Sequence, residues 1–338
     1  MIILGIETSC DETSAAVVKD GALASNITKA QVFHAQHGGV VPELASRAHV
    51  RSIMPVVDEA MARAGVNVRD LDGVAAVYGP GLVGSLLVGL TFGKSLAFGL
   101  RKPFIGINHM EAHIVSNLID APKPVTPFLN LTVSGGHTQL VLVRNLLSAQ
   151  VLGDTLDDAA GEAFDKVAKM LGLPYPGGPS VEKRAALGNA RAVDFPRPKP
   201  AGEPYAFSFS GLKTSVLYYL RKHSFDITRP DDTFVDNVCA SFQAAVVDTL
   251  TDRLFSAARS LGVKDVCIAG GVSANGALRK RARDIANQLG LNLFVPRMEF
   301  CTDNGAMVAL AGYYRILAGE SSPITLTAEP NLSLEHHV

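Results

Sequence analysis

The sequence lacks the features that would place it in several common classes. It has no tryptophan and four cysteines, and those cysteines form no Cys-x-x-Cys pair. We therefore expect reduced thiols in a cytosolic protein. The N-terminus has no basic stretch before its apolar run, so we do not expect a signal peptide. Lys and Arg (31) balance Asp and Glu (32), so any RNA binding would have to use a local patch.

Three familiar motifs are also missing. Gly93-Lys94-Ser95 is not a Walker A sequence, because Val88 stands where the pattern requires a glycine. No G-x-G-x-x-G follows an early strand. The zinc-protease pattern His-Glu-x-x-His is absent, since Glu111 is the second residue after a histidine rather than the next one. These absences argue against a P-loop enzyme, a dinucleotide-binding domain and a zincin protease.

One apolar run, residues 81–100, is long enough to be mistaken for a membrane span. Lys94 lies well inside it, and Pro80 and Pro103 bracket it closely. A Gly-x-x-x-Gly spacing within the run suits close helix packing. These features favour a helix that is buried or faces a partner.

Length and patterning predict two related domains. The chain has 338 residues, of which 47% are hydrophobic and 19% charged, typical of a folded protein too large for a single core. Residues 1–24 predict a strand, a polar turn and a second strand, and the pattern recurs at 127–145. Turns rich in Ser, Thr and Gly expose N–H groups and hydroxyls that can bind phosphate. The recurrence indicates a duplicated nucleotide-binding fold.

Another candidate turn follows an apolar strand late in the chain. Gly270 and Gly271 stand between that strand and a helix, where glycine lets the backbone approach a ligand at the helix N-terminus. Asn275 could then hydrogen-bond a ribose or a base. A tight strand-to-helix connection without any ligand would use the same glycines, so both interpretations remain open.

Two histidines have the spacing of metal ligands. His109 and His113 are four residues apart, so on a helix they lie on one face and both imidazoles can reach one metal ion. Glu111 points away from that face. Two half-buried histidines without a metal would show the same spacing.

A series of motifs resembles those of the TsaD (YgjD/Gcp) family of tRNA threonylcarbamoyltransferases, in the actin, Hsp70 and sugar-kinase (ASKHA) superfamily. The motifs are GIETSCDETS, GGVVPELASRAH, GPGLVGSLLVG, HMEAH, VSGGHTQL, DDAAGEAFDKVAK, YPGGP, FSFSGLKT, AGGVSAN and FCTDNGAM. The resemblance implies an α/β fold of two ASKHA (actin-like ATPase/RNase H-like) lobes. Each would be a mixed β-sheet flanked by helices, with the active site in the cleft between them.

The resemblance also implies domain bounds and a reaction. An N-terminal lobe would span 1–125, and a C-terminal lobe 126–318, with an inserted tRNA- or substrate-facing segment at about 155–225. Residues 319–338 would form a tail. The enzyme would move the threonylcarbamoyl group from threonylcarbamoyl-AMP to N6 of the adenosine 3′ of the anticodon, position 37, in tRNAs that read ANN codons. AMP would be released.

By the same resemblance, His109, His113 and Asp303 would bind one divalent metal per subunit, Fe(2+) first and Zn(2+) as the alternative. Asp11 and Glu12 in the first hairpin are candidate catalytic acid/base or positioning groups, although they could simply cap a turn. The predicted substrate-binding residues are Thr132, Val133, Ser134, Gly135 and Gly136 for the phosphate and threonyl part, Asp165, Gly178 and Asn275 for adenosine, and Glu182 for the ribose.

The resemblance further implies a set of partners. These are tRNA, a TsaB-like short paralogue that docks through helices 42–64 and 82–100, and a TsaE-like ATPase, in the cytoplasm and without a membrane. A homodimer is the alternative when the chain is alone. Lys213, Arg197 and Lys199 are candidate tRNA-backbone contacts or ordinary solvated charges. The rival functions are a small-molecule kinase of the same superfamily, a metal-dependent glycoprotease and a non-catalytic Hsp70-like binding module.

Overall fold

The computed structural model describes residues 1–334, apart from the side chains of Ala35 and His37. Residues 335–338, the end of the predicted tail, lie outside the described residues. The strands are β1 (Ile2–Glu7), β2 (Glu12–Lys19), β3 (Ala22–Ala30), β4 (Gly73–Gly79), β5 (Phe104–Asn108), β6 (Phe128–Val133), β7 (Thr138–Asn145), β8 (Ser148–Asp154), β9 (Asp265–Ala269) and β10 (Asn292–Phe294). The helices are α1 (Pro42–Ala64), α2 (Val83–Leu100), α3 (His109–Val115), α4 (Ala160–Met170), α5 (Gly177–Ala185), α6 (Ser210–Lys222), α7 (Asp232–Leu261), α8 (Gly276–Leu289) and α9 (Gly305–Leu317).

The chain forms two compact units. The first unit contains Met1–Lys123, Asn145–Ala149 and the C-terminal part from Pro296, and the second contains Pro124–Arg144 and Gln150–Val295. This division differs from the predicted lobe bounds, which assign α9 to the C-terminal lobe. The structure packs α9 in the first unit because its apolar side chains bury themselves on that unit's sheet.

The first unit is built on a five-stranded sheet in the order β3-β2-β1-β4-β5. β1 and β2 form an antiparallel hairpin in which Glu7 pairs with Ser14, and β1 runs parallel to β4. The sheet and α9 approach very closely, since a Cβ on Gly5 would lie 2.2 Å from the backbone nitrogen of Ala309. Only glycine at that position allows this contact.

The second unit repeats the arrangement of strands. Its five-stranded sheet has the order β10-β9-β6-β7-β8. β6 and β7 form an antiparallel hairpin in which Val133 pairs with Thr138, and β6 runs parallel to β9. Phe164 of α4 and Phe242 of α7 meet edge to face in its core, with ring centroids 5.2 Å apart. Each unit thus has a mixed sheet that is flanked by helices and begins with an antiparallel hairpin. This arrangement confirms the predicted fold class.

Helices α1 and α2 form as the sequence predicts. Among residues 1–334, α2 is the one helix long and apolar enough to cross a membrane by length and composition. One of its faces packs on the first sheet: a Cβ on Gly89 would lie 2.4 Å from Thr8 Oγ1, and one on Gly93 would lie 3.1 Å from Ala76 Cβ. The two glycines therefore bring α2 close to the sheet.

The C-terminal segment is ordered along the outer strand β5. The backbone N–H of Gly106 donates to Ser322 Oγ, and the carbonyl of Leu326 accepts a hydrogen bond from the Lys94 ammonium at 2.7 Å. Leu332 is buried. The Lys94 ammonium inside the apolar run therefore has a hydrogen-bond partner in this segment. The segment packs as part of the first unit rather than forming a loose extension.

Candidate metal centre and candidate nucleotide-binding turns

Helix α3 presents two histidines at the end of β5. Asn108 caps the helix, since its Oδ1 accepts the N–H of Met110 at 2.8 Å, and the chain passes directly from strand to helix. His109 and His113 follow one turn apart and are both buried. Their rings are nearly perpendicular, with centroids 4.6 Å apart. The predicted histidine pair is therefore confirmed as a shared helix face.

Asp303 joins this pair from the loop before α9. Asn304 caps α9 through a hydrogen bond from Met307 N, which fixes where the loop ends. Oδ1 of Asp303 lies 3.2 Å from Nε2 of His113 and 3.5 Å from Nε2 of His109. One ligand atom from each residue lies within 4.8 Å of the others. The fold thus brings together three potential ligands from distant parts of the chain.

The chemistry of these side chains fits a metal ion. His113 is fully buried, and neither ring nitrogen forms a hydrogen bond of good geometry although Nε2 lies close to Asp303, an arrangement that is costly without a ligand. His109 donates through Nδ1 to Oε2 of Glu7 at 3.0 Å, which leaves Nε2 facing Asp303. Burial alone would lower the pKa of His109, but the Asp303 and Glu7 carboxylates raise it to about 9. Two imidazoles and one carboxylate suit Fe(2+) or Zn(2+) and leave coordination positions open.

Glu111 lies on the other side of α3, as its spacing predicts. Its carboxylate forms a bidentate ion pair with Arg315 of α9, with distances of 2.7 Å from Nε to Oε1 and 2.9 Å from Nη2 to Oε2. Arg315 also donates to Glu320 at 2.6 Å. Glu111 is therefore a structural link between α3 and α9. It does not occupy the position of a protease general base.

The turn of the first hairpin carries two further carboxyl groups. Burial raises the pKa of Glu12 well above its ordinary value, and the carboxylates of Asp303 and Asp11 add to the effect. Burial also raises the pKa of the Cys10 thiol, which opposes any role for it as a nucleophile. A carboxyl group with a raised pKa holds its proton more readily and is a candidate for proton transfer in a reaction.

In the second unit, the turn between β6 and β7 contains the predicted phosphate-binding residues. Thr132 and Val133 are fully buried at the end of β6. Ser134 closes the turn, since its N–H donates to the His137 carbonyl at 2.8 Å and its Oγ accepts the His137 N–H. Gly135 and Gly136 form the tip, where added Cβ atoms would meet nothing within 4 Å. The tip thus leaves open space for a ligand beside the backbone.

The Gly-Gly turn after β9 lies against the end of β6. Gly270 has φ 83°, and a Cβ there would lie 2.4 Å from the carbonyl oxygen of Val133. Asn275 caps α8 through Leu278 N and donates from Nδ2 to Gln243 Oε1 at 2.8 Å. The Asn275 side chain therefore fixes the start of α8. The sequence predicted only a contact with adenosine for this residue.

Two other predicted residues, Glu182 and Asp165, each accept a hydrogen bond from a glycine at the start of a helix. Oε1 of Glu182 accepts the N–H of Gly276, next to Asn275, at 2.7 Å. Oδ1 of Asp165 accepts the N–H of Gly177 at 2.7 Å, and the Gly178 N–H also bonds to this carboxylate. Burial raises the pKa of Asp165 despite these bonds. The structure thus pairs Glu182 with the Asn275 turn and Asp165 with the Gly178 turn, all within the second unit.

Comparison with known proteins identifies the family. A sequence model described as "TsaD: tRNA N6-adenosine threonylcarbamoyltransferase" matches residues 22–310. The chain belongs to the TsaD family. A relative from Salinibacter ruber named tRNA N6-adenosine threonylcarbamoyltransferase is 52% identical over 99% of this chain and 100% of its own length. A relative of the same name from Thermosipho africanus is 47% identical over 99% and 100%.

Solved structures support the fold at low sequence identity. HypF of T. kodakarensis has a TM-score of 0.63 at 17% identity, over 94% of this TsaD-family chain and 48% of its own. Component A of the (R)-2-hydroxyglutaryl-CoA dehydratase of Acidaminococcus fermentans has a TM-score of 0.55 at 16% identity, over 94% and 99%. These similarities agree with the ASKHA fold predicted from the family resemblance.

The sequence did not point to two buried partners of α3: Glu7, which bonds His109, and Arg315, which pairs with Glu111. Glu7 ends the otherwise apolar strand β1 and is fully buried. Buried carboxylates are rare unless they are paired. A charged residue in such a strand therefore indicates a buried partner. Arg315 lies in the apolar helix α9, where an isolated arginine carries the same information.

Proposed function

We propose that this TsaD-family chain transfers the threonylcarbamoyl group from threonylcarbamoyl-AMP to N6 of adenosine 37 in tRNAs that read ANN codons. The observation that carries the proposal is the family match over residues 22–310. The convergence of His109, His113 and Asp303 adds the site that such a family member would need. No described contact favours the kinase, and the pairing of Glu111 with Arg315 argues against the glycoprotease.

In the proposed reaction, N6 attacks the carbamoyl carbon, a C–N bond forms and the C–O bond to the phosphate breaks. AMP leaves, and the proton lost by N6 passes to a base. Asp11 and Glu12 are the proposed acid/base groups, supported by the raised pKa of Glu12. Because an amine on an aromatic ring is a weak nucleophile, positioning and carbonyl polarisation should supply most of the acceleration.

His109, His113 and Asp303 are the proposed ligands of one divalent metal, Fe(2+) first and Zn(2+) as the alternative. Bound there, the metal would act as a Lewis acid toward a donor oxygen and help to orient it. Glu7 holds the Nδ1 proton of His109, which keeps Nε2 available as a ligand atom.

The second unit carries the proposed nucleotide-binding residues. Thr132, Val133, Ser134, Gly135 and Gly136 would hold the phosphate and the threonyl part, supported by the open space at the glycine tip. Asp165, Gly178 and Asn275 would line adenosine, and Glu182 would approach the ribose. Support comes from the Gly178 turn, where a Cβ would also meet nothing within 4 Å. Asp165, Glu182 and Asn275 would shape these turns as well as contact the ligand.

The proposed protein partner is a TsaB-like short paralogue that covers α1 and α2. Val50 and Met54 of α1 are exposed by 65% and 53%, and Leu87 and Phe98 of α2 by 48% and 75%. Exposed apolar side chains on adjacent helices are typical of an interface. A second copy of this chain is the alternative occupant, and a TsaE-like ATPase completes the proposed set in the cytoplasm.

The tRNA contacts remain proposals. Lys213 forms an ion pair with Asp158 at 2.6 Å, and Arg197 pairs with Asp248 at 3.1 Å. Lys199 pairs more loosely with Asp252, at 3.4 Å. Phosphate binding by these side chains would therefore have to compete with carboxylates of the same unit.

The experiment that tests the function is transfer of labelled threonine to purified tRNA. The mixture contains this chain, its short paralogue, the ATPase and a source of threonylcarbamoyl-AMP. Wild type is compared with His113→Ala and with His223→Ala, a control at an exposed histidine. Label from wild type and His223→Ala but not from His113→Ala supports the metal-dependent transferase. Label from all three retains the transferase without the metal. No label, with ATP consumed on a small substrate, supports the kinase.

A further inference from the structure

The carbonyl group of Cys10, at the start of the Asp11–Glu12 turn, is held by a side chain of α1. His49 is fully buried, and its Nε2 lies 2.9 Å from the carbonyl oxygen of Cys10. A carbonyl oxygen only accepts hydrogen bonds, so Nε2 must carry the proton. This contact joins α1 to the turn across 39 residues of sequence.

The other ring nitrogen of His49 is also accounted for. Nδ1 lies 2.8 Å from Oγ1 of Thr13, the second residue of β2. In a neutral imidazole with its proton on Nε2, Nδ1 is an acceptor, so the Thr13 hydroxyl donates. Burial lowers the pKa of His49 although the Cys10 carbonyl opposes that effect, in agreement with the neutral ring. The Cys10 carbonyl thus selects the tautomer, and the Thr13 hydroxyl stabilises it by donating to Nδ1.

The next carbonyl of the turn is held by Gln31. Its backbone N–H donates to the Asp11 carbonyl at 3.2 Å, and its side chain donates to the Ala45 carbonyl, one turn before His49 on α1. Its Oε1 accepts from Nε2 of His34 at 3.0 Å. Two successive carbonyl groups of the turn are therefore held by hydrogen bonds, one from His49 of α1 and one from Gln31, whose side chain bonds α1.

We propose that His49 is a positioning residue for the Asp11–Glu12 turn, acting through its hydrogen bond to the Cys10 carbonyl. The inference rests on the proposed transferase function, in which that turn supplies the proton acceptor. Because the turn is short, a shift of the Cys10 carbonyl changes the direction of the following carboxyl groups. Small displacements of catalytic groups strongly reduce rates.

A buried histidine that only satisfies its own hydrogen bonds would behave differently. Its loss would lower thermal stability, and the loss would be independent of the carboxyl groups in the turn. A positioning role instead predicts a change in kcat and coupling to those carboxyl groups.

The test is a double-mutant cycle in the tRNA transfer assay, with the full set of partners. His49→Ala should lower kcat about tenfold or more and leave KM for tRNA within about twofold. His49→Gln, whose amide can donate to the Cys10 carbonyl, should recover part of that loss. In Glu12→Gln or Asp11→Asn, the further effect of His49→Ala should fall below about twofold, because the group it positions is already lost.

A second variant keeps the proposal testable if His49→Ala does not fold. Thr13→Val keeps the shape of the side chain and removes the hydroxyl that holds Nδ1 of the ring, so kcat should fall while the protein stays folded. Thr233→Val, at an exposed position in the first turn of α7, is the matched control and should not change kcat.

Three results would overturn the inference. One is wild-type kcat in folded His49→Ala or Thr13→Val. Another is a His49→Ala effect on kcat that is as large in the Glu12→Gln and Asp11→Asn backgrounds as in wild type. The third is wild-type kcat in both carboxyl variants. Each is distinct from failure of the proposed function, in which wild type itself transfers no label.

Discussion

Oε2 of Glu7 lies 3.0 Å from Nδ1 of His109, and both side chains are buried. The pair joins the last residue of β1 to the first residue of α3. Such a carboxylate orients a ligand imidazole and fixes its tautomer, so it controls metal affinity without touching the metal.

Replacing Glu7 should therefore weaken metal binding. We expect Glu7→Ala to lower the affinity for Zn(2+) by about 10–100-fold, as is typical when such a partner is lost. Glu7→Gln should lose less, because its amide oxygen still accepts the Nδ1 proton. Titration against a chelator of known affinity measures both, with Glu59→Gln on the outer face of α1 as the control. Unchanged affinity in Glu7→Ala would refute the orienting role.

The ion pair between Glu111 and Arg315 should stabilise the first unit only while both members are present. Each side chain is 11% exposed, so Glu111→Leu alone leaves a buried arginine whose remaining carboxylate partner is Glu320, and it should cost up to about 3–5 kcal/mol of the free energy of unfolding. Glu111→Leu with Arg315→Met should cost much less, since apolar side chains of similar size replace the pair. Urea unfolding gives both values. A single variant as stable as the double one would contradict this account.

Two glycines of α2 should respond oppositely to alanine. Gly89→Ala would place Cβ 2.4 Å from Thr8 Oγ1 and should lower the free energy of unfolding by about 1–3 kcal/mol through overpacking. Gly99→Ala is the matched control in the same helix, because its Cβ would meet nothing within 4 Å. It should be stabilising by up to about 1 kcal/mol, the difference in helix propensity. Thermal unfolding of both variants measures the contrast, and equal effects would contradict it.

Stability in acid should depend on Asp157, which caps α6. Burial alone would raise its pKa, but hydrogen bonds from the Ser208 and Ser210 hydroxyls and the Phe209 and Ser210 N–H groups lower the pKa below its ordinary value. A carboxyl group with a depressed pKa contributes stability above its unfolded-state pKa, and that contribution is lost as the pH falls through its folded-state pKa.

The stability difference between wild type and Asp157→Asn should therefore shrink as the pH falls through the region of the ordinary aspartate pKa, about 3.9, and below it. Urea midpoints measured from neutral pH into this range test the trend. Asp194→Asn, at a fully exposed carboxylate, is the control for general effects of charge removal. A difference that is constant with pH would contradict the prediction.

The sequence predicted those parts of the molecule that have a local pattern. Helix 42–64 and the two hairpins follow from apolar periodicity and polar turns, and the spacing of His109 and His113 specifies their shared face. Asp303 could be assigned only through resemblance to the family. Its position depends on the packing of α9 against the first sheet, which no short-range pattern encodes.

Glu7 and Arg315 could not be predicted for the same physical reason. Glu7 and His109 are 102 positions apart, and Glu111 and Arg315 are 204 apart. Pairings at such separations are set by which strands and helices become neighbours. The segment after α9 has no helical or strand periodicity, so its course along β5 could not be predicted before the edge of the sheet was known.

Helix α1 has one face that contacts the Asp11–Glu12 turn and its supports, and another that is exposed. His49 and Ala45 face inward and support the Asp11–Glu12 turn, whereas Val50 and Met54 face outward. Any protein that covers the outer face and shifts the helix even slightly changes the turn beneath it. Activity could then depend on an accessory subunit that supplies no reacting group, with the helix itself carrying the free-energy coupling.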